Sequence, residues 1–211
     1  MAKKIKLLAY AAAMFVGAAW TQSASADSIV ENFDELTPAL TVTSVGAFSA
    51  IGGTNVDVVD NTMGYGALCA GPESGNCVDL AGTGGNPNGI LQSNTEFAAG
   101  QYLLSFDLVG SGRGQTDSTV VTFGNYNQMF TLGSGDTTDG IVIDALVTLT
   151  TPGFLTFSED PDGGNGNIGN VLDNVSVFDP PSSVPEPFTL SIFGAGIAGA
   201  AFMRRRRQTK A

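Results

Sequence analysis

The 211 residues suffice for one ordinary domain with processing segments, or for two small domains, and they carry nine basic and twenty acidic side chains, two cysteines and no histidine. Three lysines lie before residue 7 and five basic residues after residue 203, so between residues 27 and 183 one cation, Arg113, stands against nineteen acids, a segment charge of −18. That balance excludes nucleic acid as a partner, because binding a phosphate backbone depends on Lys and Arg displacing counterions. The lack of histidine excludes Ser-His-Asp and Cys-His chemistry, and no G-x-S-x-G elbow occurs.

Taken in chain order, residues 1–6 hold Lys3, Lys4 and Lys6, residues 7–20 are apolar and uncharged, and Ala24-Ser25-Ala26 supplies small residues before Asp27. This is the three-part layout of a secretory signal peptide, with Ala24 and Ala26 marking the cleavage site for a signal peptidase. Export gives meaning to the cysteines. Cys69 and Cys77 bracket a Gly/Pro-rich segment able to turn back on itself, and an oxidising compartment favours a local disulfide between them. Closing so short a loop stabilises by roughly 2–3 kcal/mol on the chain-entropy model. Two cysteines without histidine make a poor zinc site.

From residue 27 to residue 178 short β-prone runs alternate with Gly, Asn, Asp and Pro. "SIVENF", "LTVTSVGAF" and "NVDVVD" are candidate strands, and "GPESGNCVDLAGTGGNPNG" reads as long loops around the cysteine pair. "QYLLSFDLV" places Tyr102, Leu104, Phe106 and Leu108 on one face and Leu103, Ser105, Asp107 and Val109 on the other, a period of two. "STVVTF", "QMFTL", "GIVIDALVTLT", "FLTFS" and "VLDNVSVF" follow at short intervals with turn-forming linkers between them. Such spacing predicts an all-β sandwich or barrel. No helix is expected here, since Gly and β-branched residues interrupt every candidate. The prolines of "PPSSVPEP" then end strand structure and open a linker.

Residues 188–203 are sixteen residues without a charge, about 24 Å as a helix and slightly short of a hydrocarbon core of about 30 Å. Arg204, Arg205, Arg206 and Arg207 then form a stop-transfer cluster that stays cytoplasmic, with the acidic domain outside the inner membrane. An ordinary membrane anchor has the same composition. The order "VPEP", apolar stretch, "RRRR" resembles the PEP-CTERM sorting signal of Gram-negative bacteria. The resemblance implies recognition of Pro185, Glu186 and Pro187 by an exosortase, a membrane-embedded cysteine protease. It further implies a transient anchor, followed by release to the cell surface or extracellular matrix.

"FAAGQYLLSFDLVGSGRG", "TVVTFGNYNQMFTL" and "GNIGNVLDNVSVF" are similar to β-sandwich modules of the galactose-binding-like, jelly-roll kind. That likeness implies a jelly-roll-like β-sandwich, and it raises a structural calcium with Asp173 of "VLDNV" among its ligands; Asp173 as a residue that caps or orients the terminal strand stands equally. The organisation expected is a signal peptide over 1–26, a sandwich domain over 27–178, a linker over 179–184, the sorting signal over 185–207 and a cytoplasmic tail over 208–211.

Chemistry within the domain is sparsely marked. Asp160, Asp162, Asn165 and Asn167 are close oxygen donors, yet the EF-hand order fails at Asn165 and Val171, so a Gly/Asn-rich hairpin is the better reading. The single Trp, Trp20, departs with the signal peptide, so a sugar platform depends on Tyr65, Tyr102 or Tyr126; the apolar alternation assigns Tyr102 to the core, and Tyr126, flanked by Asn125 and Asn127 in an expected turn, is the candidate against an ordinary turn tyrosine. Nineteen acids always allow a carboxylate pair, but no two are singled out for glycoside hydrolysis. The sequence therefore reads as a non-enzymatic exported surface or matrix protein without an assigned cofactor, its partner through the resemblance being exopolysaccharide in a biofilm. A carbohydrate-binding module with a defined glycan ligand and a polysaccharide-acting hydrolase are the alternatives.

Overall fold

The computed structural model describes residues 27–63, 69, 75–84, 89–160 and 166–180. The expected signal peptide, the sorting signal with its apolar stretch, Tyr65, Asp162 and Asn165 lie outside them. Among the described residues the regular elements are all strands, and no helix is long and apolar enough to cross a membrane.

Thirteen strands form in chain order. They are β1 (Ile29–Glu31), β2 (Ala39–Val42), β3 (Ser44–Val45), β4 (Phe48–Ile51), β5 (Val56–Val59), β6 (Cys77–Asp79), β7 (Ile90–Ser93), β8 (Gly100–Val109), β9 (Asp117–Phe123), β10 (Tyr126–Leu132), β11 (Gly140–Leu149), β12 (Thr156–Glu159) and β13 (Val171–Phe178). One sheet has the order β11-β8-β13-β6-β5-β2, with β1 also pairing β13; the other runs β10-β9-β12-β7-β4-β3. Every ladder is antiparallel. The two sheets enclose one main core, and the molecule is a jelly-roll-like β-sandwich.

The alternation read from "QYLLSFDLV" is the rule that builds this core. Tyr102, Leu104, Phe106 and Leu108 of β8 are all buried, whereas Leu103, Ser105 and Asp107 are half-buried on the other face. Phe33, Phe48, Phe157, Phe106 and Phe130 form a chain of rings with centroids 5.3–6.2 Å apart, and Phe97 touches Tyr102 and Phe123 at 5.2 and 5.0 Å. Most of these meet edge to face, an arrangement worth about 0.5–1.5 kcal/mol per pair beyond the area buried.

Three strands break the period of two, each at a residue with left-handed backbone: β2 between Ala39 and Val42, where Thr41 has φ 57°, and the longer β11 and β13. In β11 the register shifts between Val142 and Ala145, where Asp144 has φ 50°. In β13 it shifts between Asp173 and Ser176, where Asn174 has φ 51°. The extra residue lets Leu172 and Val175, three apart, both face the core. Asp and Asn tolerate this conformation better than bulkier residues do.

The segment expected as long loops around the cysteines needs correction. It contains β6, three buried residues hydrogen-bonded between β5 and β13 in the middle of the first sheet. A strand of three residues buried on both faces carries no alternation, and its Gly/Pro-rich surroundings conceal it. β7 is also missed, though its burial alternates: the four residues "ILQS" are too short to display the period, and they lie between β12 and β4.

Candidate functional site

Cys69 and Cys77 are joined as a disulfide, with Cα atoms 5.6 Å apart. Asn61 clasps the Cys69 backbone from both sides: its Nδ2 donates to the Cys69 carbonyl at 3.2 Å and its Oδ1 accepts from the Cys69 N–H at 3.1 Å. The sulfurs sit in a satellite cluster with Val59, Val109 and Val171, which fastens the start of β13 and the end of β8 to the disulfide.

Beside that cluster the interior turns acidic. Asp79 at the end of β6, Asp117 at the start of β9 and Glu159 at the end of β12 are each no more than 2% exposed, and Asn170, the residue before β13, is fully buried. The strand period accounts for two of them. Val121 and Phe123 face inward from β9, so Thr119 and Asp117 must as well; Phe157 faces inward from β12, so Glu159 does too.

The hydrogen bonds of this end run in a fixed direction. Asn170 Nδ2 donates to Thr119 Oγ1 at 3.0 Å and to the Asp117 carbonyl at 3.3 Å. Thr119 Oγ1 donates to Glu159 Oε2 at 2.7 Å, and the Asn170 N–H donates to Glu159 Oε1 at 3.3 Å. Asp79 Oδ1 accepts from the N–H groups of Ala81 and Gly169 at 3.1 and 3.2 Å. Its Oδ2 is paired with the Arg113 guanidinium, whose Nε also donates to Ser111 Oγ at 3.1 Å. Gly169 is required by proximity: a Cβ there would lie 2.6 Å from the Ala81 nitrogen and 3.1 Å from Glu159 Cδ.

Burial is the main cause that raises all three carboxyls. Glu159 is pushed up to about 8 by burial, against the bonds from Thr119 and Asn170 and with some help from the charges of Asp117 and Asp79. Asp79 is pushed up to about 7 by burial although Arg113 pulls it down, and Asp117 to about 6 by burial, again opposed by Arg113. Asp57, equally buried, is fully engaged: its Oδ1 accepts from the N–H groups of Thr41 and Thr83 at 2.7 and 3.0 Å, and its Oδ2 from Thr83 Oγ1.

This acidic end was not read from the sequence. Its signal was present, because carrying the period one step outward from "STVVTF" and "FLTFS" reaches Asp117 and Glu159.

The residues singled out beforehand lie elsewhere. Asp173 is half-buried in the β13 bulge, opposite Asp107 of β8. Its Oδ1 accepts the Asn174 N–H at 2.7 Å, and Asn174 Nδ2 donates to Asp107 Oδ2 at 2.9 Å. Among the described residues no three His, Cys, Asp or Glu side chains stand close enough to hold a metal ion together.

Tyr126 is not an exposed ring in a turn, as expected; it is the first residue of β10, paired with Phe123, and its partly buried ring packs against the core. The turn is Gly124-Asn125, where Gly124 takes φ 56° and a Cβ would fall 2.6 Å from the Thr148 carbonyl. Asn125 is also occupied, accepting the Thr148 N–H on Oδ1 at 2.7 Å. Pro185, Glu186, Pro187 and the four arginines, like Ala24 and Ala26, lie outside the described residues.

Comparison with known proteins assigns the end of the chain. Residues 183–207 match the PEP-CTERM protein-sorting motif. The chain is thus an exported protein with a C-terminal anchor processed by an exosortase. No curated protein matches it. Among solved structures it is similar to a cleaved adhesin domain of Lys-gingipain from Porphyromonas gingivalis, at 15% identity and a TM-score of 0.46 over 73% of this chain and 99% of that one. It is also similar to the CBM22-2 xylan-binding domain of Paenibacillus barcinonensis Xyn10C, at 14% identity and a TM-score of 0.40 over 72% and 99%. A third is the GH26-CBM35 β-(1,4)-mannanase of Podospora anserina, at 15% identity and a TM-score of 0.35, of which the match covers only 29% against 75% of this chain. At these values the likeness extends to the general fold and no further.

Proposed function

We propose that this chain is a non-enzymatic component of the cell surface or extracellular matrix of a Gram-negative bacterium, associated with exopolysaccharide. The observation that carries the reading is the sorting motif at residues 183–207 behind a self-contained sandwich. The body it delivers is suited to a hydrated matrix: one basic residue against nineteen acids between residues 27 and 183 keeps copies apart in solution. The concentration of acids at the dry end argues against hydrolysis, since Asp79 and Glu159 are no more than 2% exposed and committed to backbone and side-chain donors.

A sugar platform at Tyr126 would need an exposed ring face, and that ring is instead partly buried and packed on the core. Two measurements test the proposal. Mass spectrometry of protein recovered from the cell surface should find chains that end before Arg204; intact Arg204 to Arg207 would establish a permanent anchor instead. A glycan array should give broad, weak retention by neutral matrix polymers at most, since a body this acidic is repelled by acidic ones. Tight binding of one oligosaccharide lost in Tyr126→Ala would replace the matrix reading with a carbohydrate-binding module, and turnover abolished by a single Asp or Glu substitution would make the chain a hydrolase.

A further inference from the structure

Both ends of the described chain leave the sandwich together. Ile29 of β1 pairs with Val177 of β13, so residues 27 and 179 emerge side by side at one end of the first sheet. The outward face of that end is apolar. Residues opposed across an antiparallel ladder share a face, which puts Leu146 of β11, Leu103 of β8 and Phe178 of β13 in one row. Val30 of β1, opposite Ser176, is the diagonal neighbour of Phe178. Val30 is 72% exposed, Leu146 59% and Phe178 44%. The flanking rows hold Thr148 with Gln101 on one side and Ser105 with Ser176 on the other, and the acid nearest them, Asp144, is tied to Ser105 by bonds of 2.8 and 3.3 Å. The outward face of the second sheet differs, being lined by hydroxyls: Thr122 bonds Thr156, and Ser118 bonds Thr131 at 2.8 Å.

Phe178 is also the last strand residue before the tether. Nine residues, 179–187, separate it from the uncharged stretch 188–203 of the anchor. Fully extended they span at most about 30 Å, close to the length of the ten-residue β8. The sandwich is thus held within about its own length of the bilayer, with the apolar row at the tethered end. We propose that this row, Leu146, Leu103 and Phe178 with Val30, rests on the zwitterionic lipid surface of the membrane that holds the anchor. Untethered, four partly exposed side chains would bind lipid weakly; the tether makes the contact intramolecular and raises the effective concentration toward the millimolar range. A second copy is the poorer occupant. A stable dimer buries about 800 Å² on each partner, more than four side chains supply, and bodies with nineteen acids against one base repel one another. β13 runs from the acidic end of the sandwich to this row, so the contact keeps the acids away from lipid. It holds the domain in one orientation while residues 185–187 are presented to the exosortase, and it weakens when the tail is cut, which frees the domain.

The test uses the exported chain, tail intact and signal peptide removed, reconstituted in phosphatidylcholine vesicles. From residue 27 onward the chain contains no Trp, so Leu146→Trp supplies a single fluorescent probe within the row. Met129→Trp, at an exposed position in β10 of the second sheet, supplies the control. Leu146→Trp should emit at shorter wavelength in vesicles, resist iodide, and be quenched by lipids brominated about 5–10 Å beneath the headgroups, the depth of an interfacial contact. Met129→Trp should stay open to iodide and unaffected by the brominated lipid. Adding Phe178→Glu to Leu146→Trp should return the probe to water without moving the melting temperature of the sandwich, and Val30→Glu, at the most exposed of the four positions, should do the same. The proposal is overturned if the chain floats with the vesicles while Leu146→Trp stays in water, if both probes are quenched alike, or if neither charged variant releases the probe. A spectral shift that grows with the protein-to-lipid ratio would give the row to a second copy and overturn it too. Because the contact rests on the anchor, a chain that fails to float with the vesicles removes both.

Discussion

Along β9 the inward row changes character halfway. Val121 and Phe123 join the aromatic waist, while Thr119 and Asp117, on the same face of the same strand, enter the acidic end. Both halves are dry, but they are dry for opposite reasons. At the waist, removing water from each large apolar side chain contributes about 1.5–3 kcal/mol, and rings such as Phe106 and Phe157, 5.3 Å apart, add their edge contacts. At the acidic end the same loss of water is a cost, only partly offset by Arg113 and the Thr119-Asn170 bonds. A strand period is indifferent to side-chain chemistry, so it carries polar residues inward as readily as apolar ones.

The largest expected effect lies at the waist. Phe157 is fully buried and touches both Phe48 and Phe106, so Phe157→Ala should cost about 3–5 kcal/mol in equilibrium urea unfolding. A loss below about 1 kcal/mol would mean that the waist is not where stability resides. Next comes the disulfide beside the acidic end. Replacing Cys69 and Cys77 together by Ser should cost roughly 2–3 kcal/mol, and the loss should be read in the same denaturation series. If the double variant also raises hydrogen exchange around Val109 and Val171, the satellite cluster that it shares with them depends on the bond.

The acidic end should break the symmetry between the two dry regions through pH. A carboxyl raised by burial contributes stability that is fully present below its unfolded value near 4 and is lost as pH rises through the folded value. Those folded values are about 6 for Asp117, about 7 for Asp79 and about 8 for Glu159. The melting temperature should therefore fall between pH 5 and pH 9. Glu159→Gln should flatten the upper part of that fall, leaving the variant about 1–3 kcal/mol better off than the parent at pH 9 relative to pH 5. Parallel pH profiles for parent and variant would remove Glu159 from this role. Phe157→Ala, by contrast, should shift its profile downward without changing its shape.

The same comparison shows what was legible in the sequence. β13 was, at the bounds observed, and β8 to within its first residue, Gly100, because their inward residues are apolar and numerous enough to display the period. β6 was not, since three residues buried on both faces leave no pattern. Asp117 and Glu159 escaped because an acid at the end of an apolar run reads as the start of a loop, and only the partner sheet reveals that the strand continues. The bulge at Asn174 was hidden for a different reason: its φ of 51° is stored in a residue other than glycine, and "VLDNV" scans as regular. Tyr126 was misplaced by a single position, because Gly124-Asn125 closes the hairpin in two residues and returns the ring to the sheet.

The smallest effect belongs to a third surface, which separates burial from strand membership. Ile143 lies in the β11 bulge and is 76% exposed, so its side chain already meets water in the folded state. Ile143→Thr keeps the β-branched shape that suits a strand and removes little buried area, so it should change unfolding free energy by no more than about 0.5 kcal/mol. Val147, four residues on in the same strand, is fully buried in the core. Val147→Thr places a hydroxyl among apolar neighbours and should cost about 1–3 kcal/mol. Equal losses for the two would mean that the bulge at Asp144 does not turn the strand as described, and that the outward row of β11 is covered in the exported protein.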